Sequence, residues 1–439
     1  MEKSQKLSAN PYKSLTSFKE KDATRYFGRE REITQIWQKF RDIYELTHGP
    51  ESVPRILPVL GPSGCGKSSL IRAGVIPELA RQPWPSKEHI RVAVISPGAH
   101  PTETLVRALL RAQAQNTNDF LDKLSLANIR QEIKEIETPN KQGIYDGIRL
   151  FVDLIPHIQD SPLVLVIDQF EELYSLCKST DERQIFLENL FVAASDPNRH
   201  LSIIFSLRSD FLGEAQNTHP TLNQVLSTNG ILVPAMGPEE LKAAITKPAE
   251  QAGYEFPPAL VSLLIAQTDR RDALPLLQFT LTKIWDGLLA GQDPAVTLER
   301  LGGVGGALTQ EAKRIYESFN ESEKAIAFRI FSDLVVPFEV SKQVTYVRRP
   351  RELQRMLAST DDPSIFQKVI DRFSQPETRF ITVSSDKDHI QKQANVTHEA
   401  LYEHWQELQE WLQQSQSIIQ TRQKIELDAI SWEQADKSN

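Results

Sequence analysis

Five short apolar runs punctuate the first half of the chain: Ile56–Leu60, Val92–Ile95, Leu163–Ile167, Leu201–Leu207 and the weaker Ile231–Val233. Their apolar residues are nearly continuous rather than alternating. That pattern predicts strands buried on both faces of a parallel sheet. Between the runs the period changes. Ile33, Ile36, Trp37, Phe40, Ile43 and Tyr44 recur at three- and four-residue spacing and predict an amphipathic helix over residues 31–46. Residues 68–80, 101–112 and 181–194 read the same way. Strand and helix in alternation predict an α/β fold.

Past Gly237 the strand signal fades. Pro238-Glu239-Glu240-Leu241 predicts a helix start, and breaks at Pro257-Pro258 and near Pro275 divide residues 239–290 into several helices. Gly302-Gly303-Val304-Gly305-Gly306 predicts a joint or tight turn. Residues 309–405 read helix, helix, helix, hairpin, helix, the plan of a winged helix. The hairpin pairs Arg379–Ser384 with Gln393–Thr397 through a charged turn at Asp386–Asp388. Trp405, Leu408, Trp411 and Leu412 then mark one side of a last helix. The expected organisation is a polar, disordered N-terminus (1–9), an α/β core with an N-terminal arm (10–237), a helical lid (238–308), a winged-helix domain (309–405) and a C-terminal helical segment (406–439) leading to a further domain.

Composition narrows the class. The 439 residues are 40% apolar and 25% charged, with 50 basic against 58 acidic side chains, a formal charge of -8. These values suit an ordinary globular protein and exclude a disordered tail. An acidic balance argues against a basic nucleic-acid coat, which needs excess Lys and Arg. Cys65 and Cys177 are too few for a disulfide framework. Residues 1–17 lack the apolar run of about 7–15 residues of a signal peptide, and the apolar stretches are too short to span a bilayer. The expected location is the cytoplasm, with no membrane partner.

The chemistry concentrates in Gly61-Pro62-Ser63-Gly64-Cys65-Gly66-Lys67-Ser68, which fills every fixed position of G-x-x-x-x-G-K-[ST]. An apolar run precedes it and a helical pattern follows. Glycines let backbone amides approach phosphate oxygens, and the next helix points its positive end at them. Lys67 is expected on the β- and γ-phosphates and Ser68 on Mg²⁺. Gly61, Ser63, Gly64, Cys65, Gly66 and Ser69 complete the expected cradle. Cys65 fills a variable position, as a small residue rather than a nucleophile.

The run 163–167 ends in Asp168, as a Walker B strand should, and Asp168 is the second expected Mg²⁺ ligand. Gln169 follows, where many ATPases carry a glutamate. Glu171 and Glu172 are the acids left to polarise an attacking water, Glu172 ranked first. The alternative for both is a solvated helix start. Arg208, at the end of the run 201–207, can reach the γ-phosphate and report hydrolysis, with a surface arginine as the alternative. Arg348-Arg349-Pro350-Arg351 is a basic cluster in the winged-helix region, read as a solvated face with DNA contact as the alternative. Arg270-Arg271-Asp272 reads as a turn exposed to water.

Taken in order, these segments give the chain a family likeness. Asn10-Pro11-Tyr12, Phe27-Gly28-Arg29-Glu30, the glycine-rich loop, Asp168-Gln169-Phe170-Glu171-Glu172, Leu207-Arg208-Ser209-Asp210-Phe211, Leu274-Pro275-Leu276-Leu277-Gln278-Phe279 and Val396-Thr397-His398-Glu399-Ala400-Leu401 resemble STAND ATPases (signal-transduction ATPases with numerous domains). The resemblance is specifically to the bacterial novel STAND NTPase group often found before WD-repeat propellers. The resemblance implies a P-loop NTPase core, a helical lid and a winged helix. It further implies that Phe27, Gly28 and Arg29 cover the adenine, that Arg208 is a γ-phosphate sensor, that Pro275 packs on adenine and that His398 contacts the β-phosphate of ADP. Ala273 stands where the family's G-x-P motif has glycine, and His398 also reads as a helix cap. The implied function is a slow ATPase switch in signalling or defence, closed with ADP and self-associating with ATP, driven by an unknown trigger. The alternatives are a nucleotide-bound scaffold that does not hydrolyse and a DNA-binding AAA-like motor.

Overall fold

A computed structural model describes residues 7–46, 54–82, 89–113, 126–268, 273–340, 343–375, 378–384 and 392–417, with 419, 421 and 425. The first six residues, Arg270-Arg271-Asp272, the turn at Asp386–Asp388 and most of the chain past 417 lie outside them. Two compact units divide the chain. One holds residues 1–11 and 17–265, the other 12–16 and 266–439.

In the first unit the five apolar runs are strands: β1 (Ile56–Gly61), β2 (Arg91–Ile95), β3 (Leu163–Ile167), β4 (Leu201–Arg208) and β5 (Ile231–Leu232). They form one sheet in the order β2-β3-β4-β1-β5, and every pairing is parallel. Burial follows position. All residues of β1, β3 and β4 are buried, whereas the edge strands β2 and β5 are partly open. Hence the central runs are continuously apolar and the fifth is weak. One face packs on the helix Glu30–Leu46 through Ile36, Phe40 and Ile43, and on the helix after the glycine-rich loop through Leu70, Ile71, Val75 and Leu79. The second of these departs from the plain helix expected. Lys67–Ser69 is α-helical, Leu70–Val75 is a π stretch, and Ile76–Arg81 is α-helical again. Gly74 lies in the π stretch, and a Cβ there would stand 2.6 Å from Ile33 Cγ1. Among the described residues no helix is long and apolar enough to cross a membrane.

The second unit begins with helices Ala273–Leu289, Pro294–Arg300 and Gly303–Glu317. The glycine run predicted as a joint starts the last of these: Gly302 (φ +70°) is its N-cap and Gly303 (φ +78°) its first residue. The arm residues 12–16 belong here. Ser14 N–H donates to Thr282 Oγ1 at 2.9 Å, and Tyr12 meets Trp285 edge-on, centroids 6.1 Å apart.

The winged-helix domain follows, with one element the sequence reading lacked. After helix Glu321–Asp333 comes a hairpin, β6 (Val335–Val340) and β7 (Gln343–Arg348). Then come β8 (Arg351–Glu352), the turn Leu353–Met356, helix Pro363–Ser374, β9 (Ile381–Ser384) and β10 (Gln393–Val396). The last strands form an antiparallel sheet, β8-β10-β9. Trp405 closes the core. It is fully buried against Phe331 (centroids 5.2 Å, 87°) and Phe373 (5.9 Å). Leu408 and Leu412 of the final helix (406–417) are also fully buried, so the side predicted from Trp405, Leu408, Trp411 and Leu412 faces this core.

Trp405→Ala should therefore destabilise the second unit by about 3–5 kcal/mol, the usual cost of truncating a buried aromatic. Urea unfolding followed by circular dichroism checks this.

Candidate active site

A parallel sheet gathers the loops that leave its C-terminal strand ends on one edge. Here that edge receives residues 61–68 from β1, Asp168 from β3 and Arg208 from β4. Gly61 and Arg208 are register partners. Because β4 lies between β1 and β3, the glycine-rich loop and Asp168 approach each other across its end.

The loop's glycines are steric requirements. Gly64 (φ +70°) and Gly66 (φ +91°) adopt left-handed backbone, which costs other residues energy. At Gly61 a Cβ would lie 2.8 Å from Cys65 Sγ and 2.9 Å from Val233 O. Ser63 is half-buried. Gly66 is the N-cap of the next helix, whose first amides face the loop.

Lys67 is 8% exposed. Its Nζ donates to the carbonyls of Gly61 (2.9 Å) and Pro62 (2.7 Å), with the thiol of Cys65 at 3.9 Å. A buried ammonium hydrogen-bonded to neutral carbonyls is a site an anion would relieve, since unpaired buried charge is costly. Ser68 Oγ donates to Asp168 Oδ1 at 2.8 Å. A hydroxyl and one carboxylate are hard oxygen donors of the kind Mg²⁺ takes together with substrate phosphate and water. The residues present therefore fit both groups.

Asp168 is 7% exposed. Its N–H donates to Ile95 O of β2 at 2.8 Å. Its Oδ1 also accepts from Ser206 Oγ at 2.7 Å, and Ser206 Oγ accepts from Gln169 N–H at 2.8 Å. Ser206 escaped the sequence reading. The available signal was a hydroxyl two residues before Arg208 in a mostly apolar buried strand, which carries a second serine, Ser202, near its start.

The two candidate acids differ. Glu171 is 6% exposed, and its Oε2 accepts from Arg208 N–H at 3.3 Å. Burial raises its pKa above the ordinary carboxylate value, against the opposing charges of Lys67 and Arg208. Glu172 turns elsewhere: its Oε2 accepts from Gly98 N–H, past the end of β2, at 2.9 Å. The Arg208 guanidinium is bidentate on Asp210, with Nε to Oδ1 at 3.1 Å and Nη2 to Oδ2 at 2.6 Å.

The arm braces the loop from behind. Arg29 is 1% exposed, and its Nη2 donates to Cys65 O (3.1 Å) and Pro234 O (2.9 Å). Its Nη1 lies 3.4 Å from Glu32 Oε1. Ser69 Oγ accepts from Phe18 N–H at 3.1 Å, and Arg72 pairs with Glu20 at 3.0 Å. Lys247 Nζ sits over the half-exposed Phe27 ring, 5.4 Å from its centroid. Gly28 has φ +87°, and a Cβ there would come 2.4 Å from Glu240 O.

Pro275 and His398 belong to the second unit. Pro275 is half-buried in the first turn of Ala273–Leu289. His398 Nδ1 accepts from Ala400 N–H at 3.1 Å, the first amide of the helix Ala400–His404, whose N-cap residue is Glu399. Next to it Glu399 pairs with Arg348 at 2.8 Å, and Arg348 also donates to Thr397 O at 3.0 Å. Arg348, expected on a solvated face, is thus part of the winged-helix fold.

A family model described as Novel STAND NTPase 1 matches residues 11–439. No curated protein sequence matches the chain. Among solved structures, the Aeropyrum pernix ORC2 protein in ADPNP and ADP complexes is similar at TM-score 0.46 and 11% identity, over 90% of this chain and 95% of that one. The Aeropyrum pernix ORC1 protein in complex with DNA is similar at TM-score 0.42 and 12% identity, over 90% and 94%. Drosophila ORC bound to DNA is similar at TM-score 0.41 and 12% identity, over 90% and 93%. Likeness so distant transfers neither ligand nor partner to this chain.

Gly28→Ala should lower stability by about 1–3 kcal/mol, since a left-handed backbone and a close carbonyl both oppose the methyl group. Denaturant unfolding of the full chain measures it.

Proposed function

The chain belongs to the novel STAND NTPase 1 family, a family of P-loop NTPases, and from that premise we propose that it binds Mg-ATP, hydrolyses it slowly and acts as a regulatory switch. The observation that carries this reading is the meeting of Ser68 and Asp168 beside buried Lys67. Lys67 and the loop amides bind the phosphates. Ser68 and Asp168 hold Mg²⁺, which supplies charge neutralisation during phosphoryl transfer. Glu171 accepts the proton of the attacking water. Its carboxylate shares the neighbourhood of Lys67, Arg208 and Asp168, whereas that of Glu172 is engaged by Gly98. Glu171 therefore ranks above Glu172 here, the reverse of the order taken from sequence. Arg208 senses the γ-phosphate by exchanging Asp210 for it. Arg29 holds the loop's backbone in shape, and Phe27 and Gly28 flank it on the adenine side.

The regulatory part of the proposal rests on family likeness. It includes Pro275 and His398 as nucleotide contacts, a closed ADP state, a self-associating ATP state, and a role in cytoplasmic signalling or defence. The DNA-motor alternative loses Arg348, which is paired to Glu399.

Lys67→Ala should weaken ATP binding by about ten- to a hundredfold, the worth of charged hydrogen bonds, in a calorimetric titration. Glu171→Gln should slow steady-state phosphate release by about a hundredfold or more with ATP affinity retained, and Glu172→Gln by less than about tenfold. Equal rates from wild type and Glu171→Gln would leave the scaffold reading. Only the ionised Glu171 can take a proton, so the rate should rise with pH. The half-point should sit above the ordinary carboxylate value, because burial raises it. Light scattering with ADP and with ATP tests the self-association. His398→Ala should shift mass toward the larger species, and masses unaltered by nucleotide or mutation contradict the switch.

A further inference from the structure

We propose that Ser206 is the positioning residue of the site, holding the metal-binding carboxylate of Asp168 and the turn that carries Glu171. The inference rests on the Mg-ATP reading above. No motif marks this serine. It sits in β4 between Phe205 and Leu207 and opposite Val59 of β1, and it is 1% exposed. A hydroxyl buried that deeply is tolerated only when hydrogen-bonded.

Its bonds have a fixed direction. Gln169 N–H donates into Ser206 Oγ at 2.8 Å. The single hydroxyl proton therefore goes to Asp168 Oδ1, at 2.7 Å. Ser68 donates to the same oxygen at 2.8 Å, but the two serines are not equivalent. Ser68 belongs to the phosphate-binding loop, and its hydroxyl leaves Asp168 when it turns to a cation. Ser206 belongs to a fully buried central strand and stays. Asp168 then keeps one anchored oxygen, and Oδ2, on which neither hydroxyl falls, is held in a fixed direction.

The same residue pins the turn behind Asp168. Gln169 has φ +59°, left-handed backbone in a residue other than glycine, a conformation that persists only where its surroundings enforce it. Two of the enforcing bonds come from Ser206: its Oγ takes Gln169 N–H, and its carbonyl takes Phe170 N–H at 2.9 Å. That turn leads directly into Glu171. One hydroxyl thus sets both the metal carboxylate and the acid proposed to activate water.

Fluorescent ATP binding by the full chain, in EDTA and across a Mg²⁺ titration, tests this with Ser206→Ala and Ser206→Thr. Ser206→Ala should raise the Mg²⁺ concentration at half-effect by about tenfold or more, the worth of a buried hydrogen bond to a charge. Its affinity in EDTA should stay within about twofold of wild type, which also reports that the variant folds. Ser206→Thr, which keeps the hydroxyl, should restore the Mg²⁺ midpoint. A wild-type midpoint in Ser206→Ala overturns the proposal, as does an equal loss of affinity with and without Mg²⁺, the mark of general damage. If wild type itself binds ATP without regard to Mg²⁺, the Mg-ATP reading falls and this inference with it.

Discussion

Asp168 is a buried carboxylate at the end of a buried strand, and the rest of the site follows from how its charge is accommodated. A carboxylate out of water must be hydrogen-bonded or paired. The partners come from the ends of neighbouring strands: Ile95 O takes its N–H, and Ser206 and Ser68 donate to its Oδ1. Only a sheet that sets β4 between β1 and β3 brings a β1 loop and a β4 hydroxyl to the same oxygen. Topology, more than any single motif, therefore gathers these oxygen donors. Arg208 is paired with Asp210, but two other buried charges of the site rest on neutral groups. Lys67 rests on neutral carbonyls and Glu171 on a backbone amide. That arrangement suits an anionic ligand and a divalent cation entering together.

Much of this was legible in the sequence, for a physical reason. Strands buried on both faces are mostly apolar, so β1, β3 and β4 stand out as nearly continuous runs, and their predicted bounds agree with the structure to within one residue. The glycine-rich loop is legible because left-handed backbone and the crowding at Gly61 admit little else. The edge strands signalled less because one side of each is partly open to water.

The features that escaped depend on long-range partners. The β6–β7 hairpin carries Pro337 inside a strand and ends in Arg348, whose partner Glu399 lies 51 residues away. Local pattern cannot show that pairing, so Arg348 looked like a solvated cation. The different partners of Glu171 and Glu172, Arg208 N–H and Gly98 N–H, follow a left-handed turn at Gln169, which no propensity predicts. The π stretch at 70–75, where Gly74 lies close to Ile33, and the hydrogen bond of Ser206 to Asp168 likewise involve partners distant in sequence.

The most direct test of the account is a crystal structure of the chain with Mg²⁺ and a non-hydrolysable ATP analogue. In it Lys67 Nζ should leave the carbonyls of Gly61 and Pro62 for the phosphates, and Ser68 should exchange Asp168 for the metal. Ser206 should keep its hydrogen bond to Asp168. A nucleotide bound away from the loop, or Lys67 still seated on its own carbonyls beside a bound triphosphate, would contradict it.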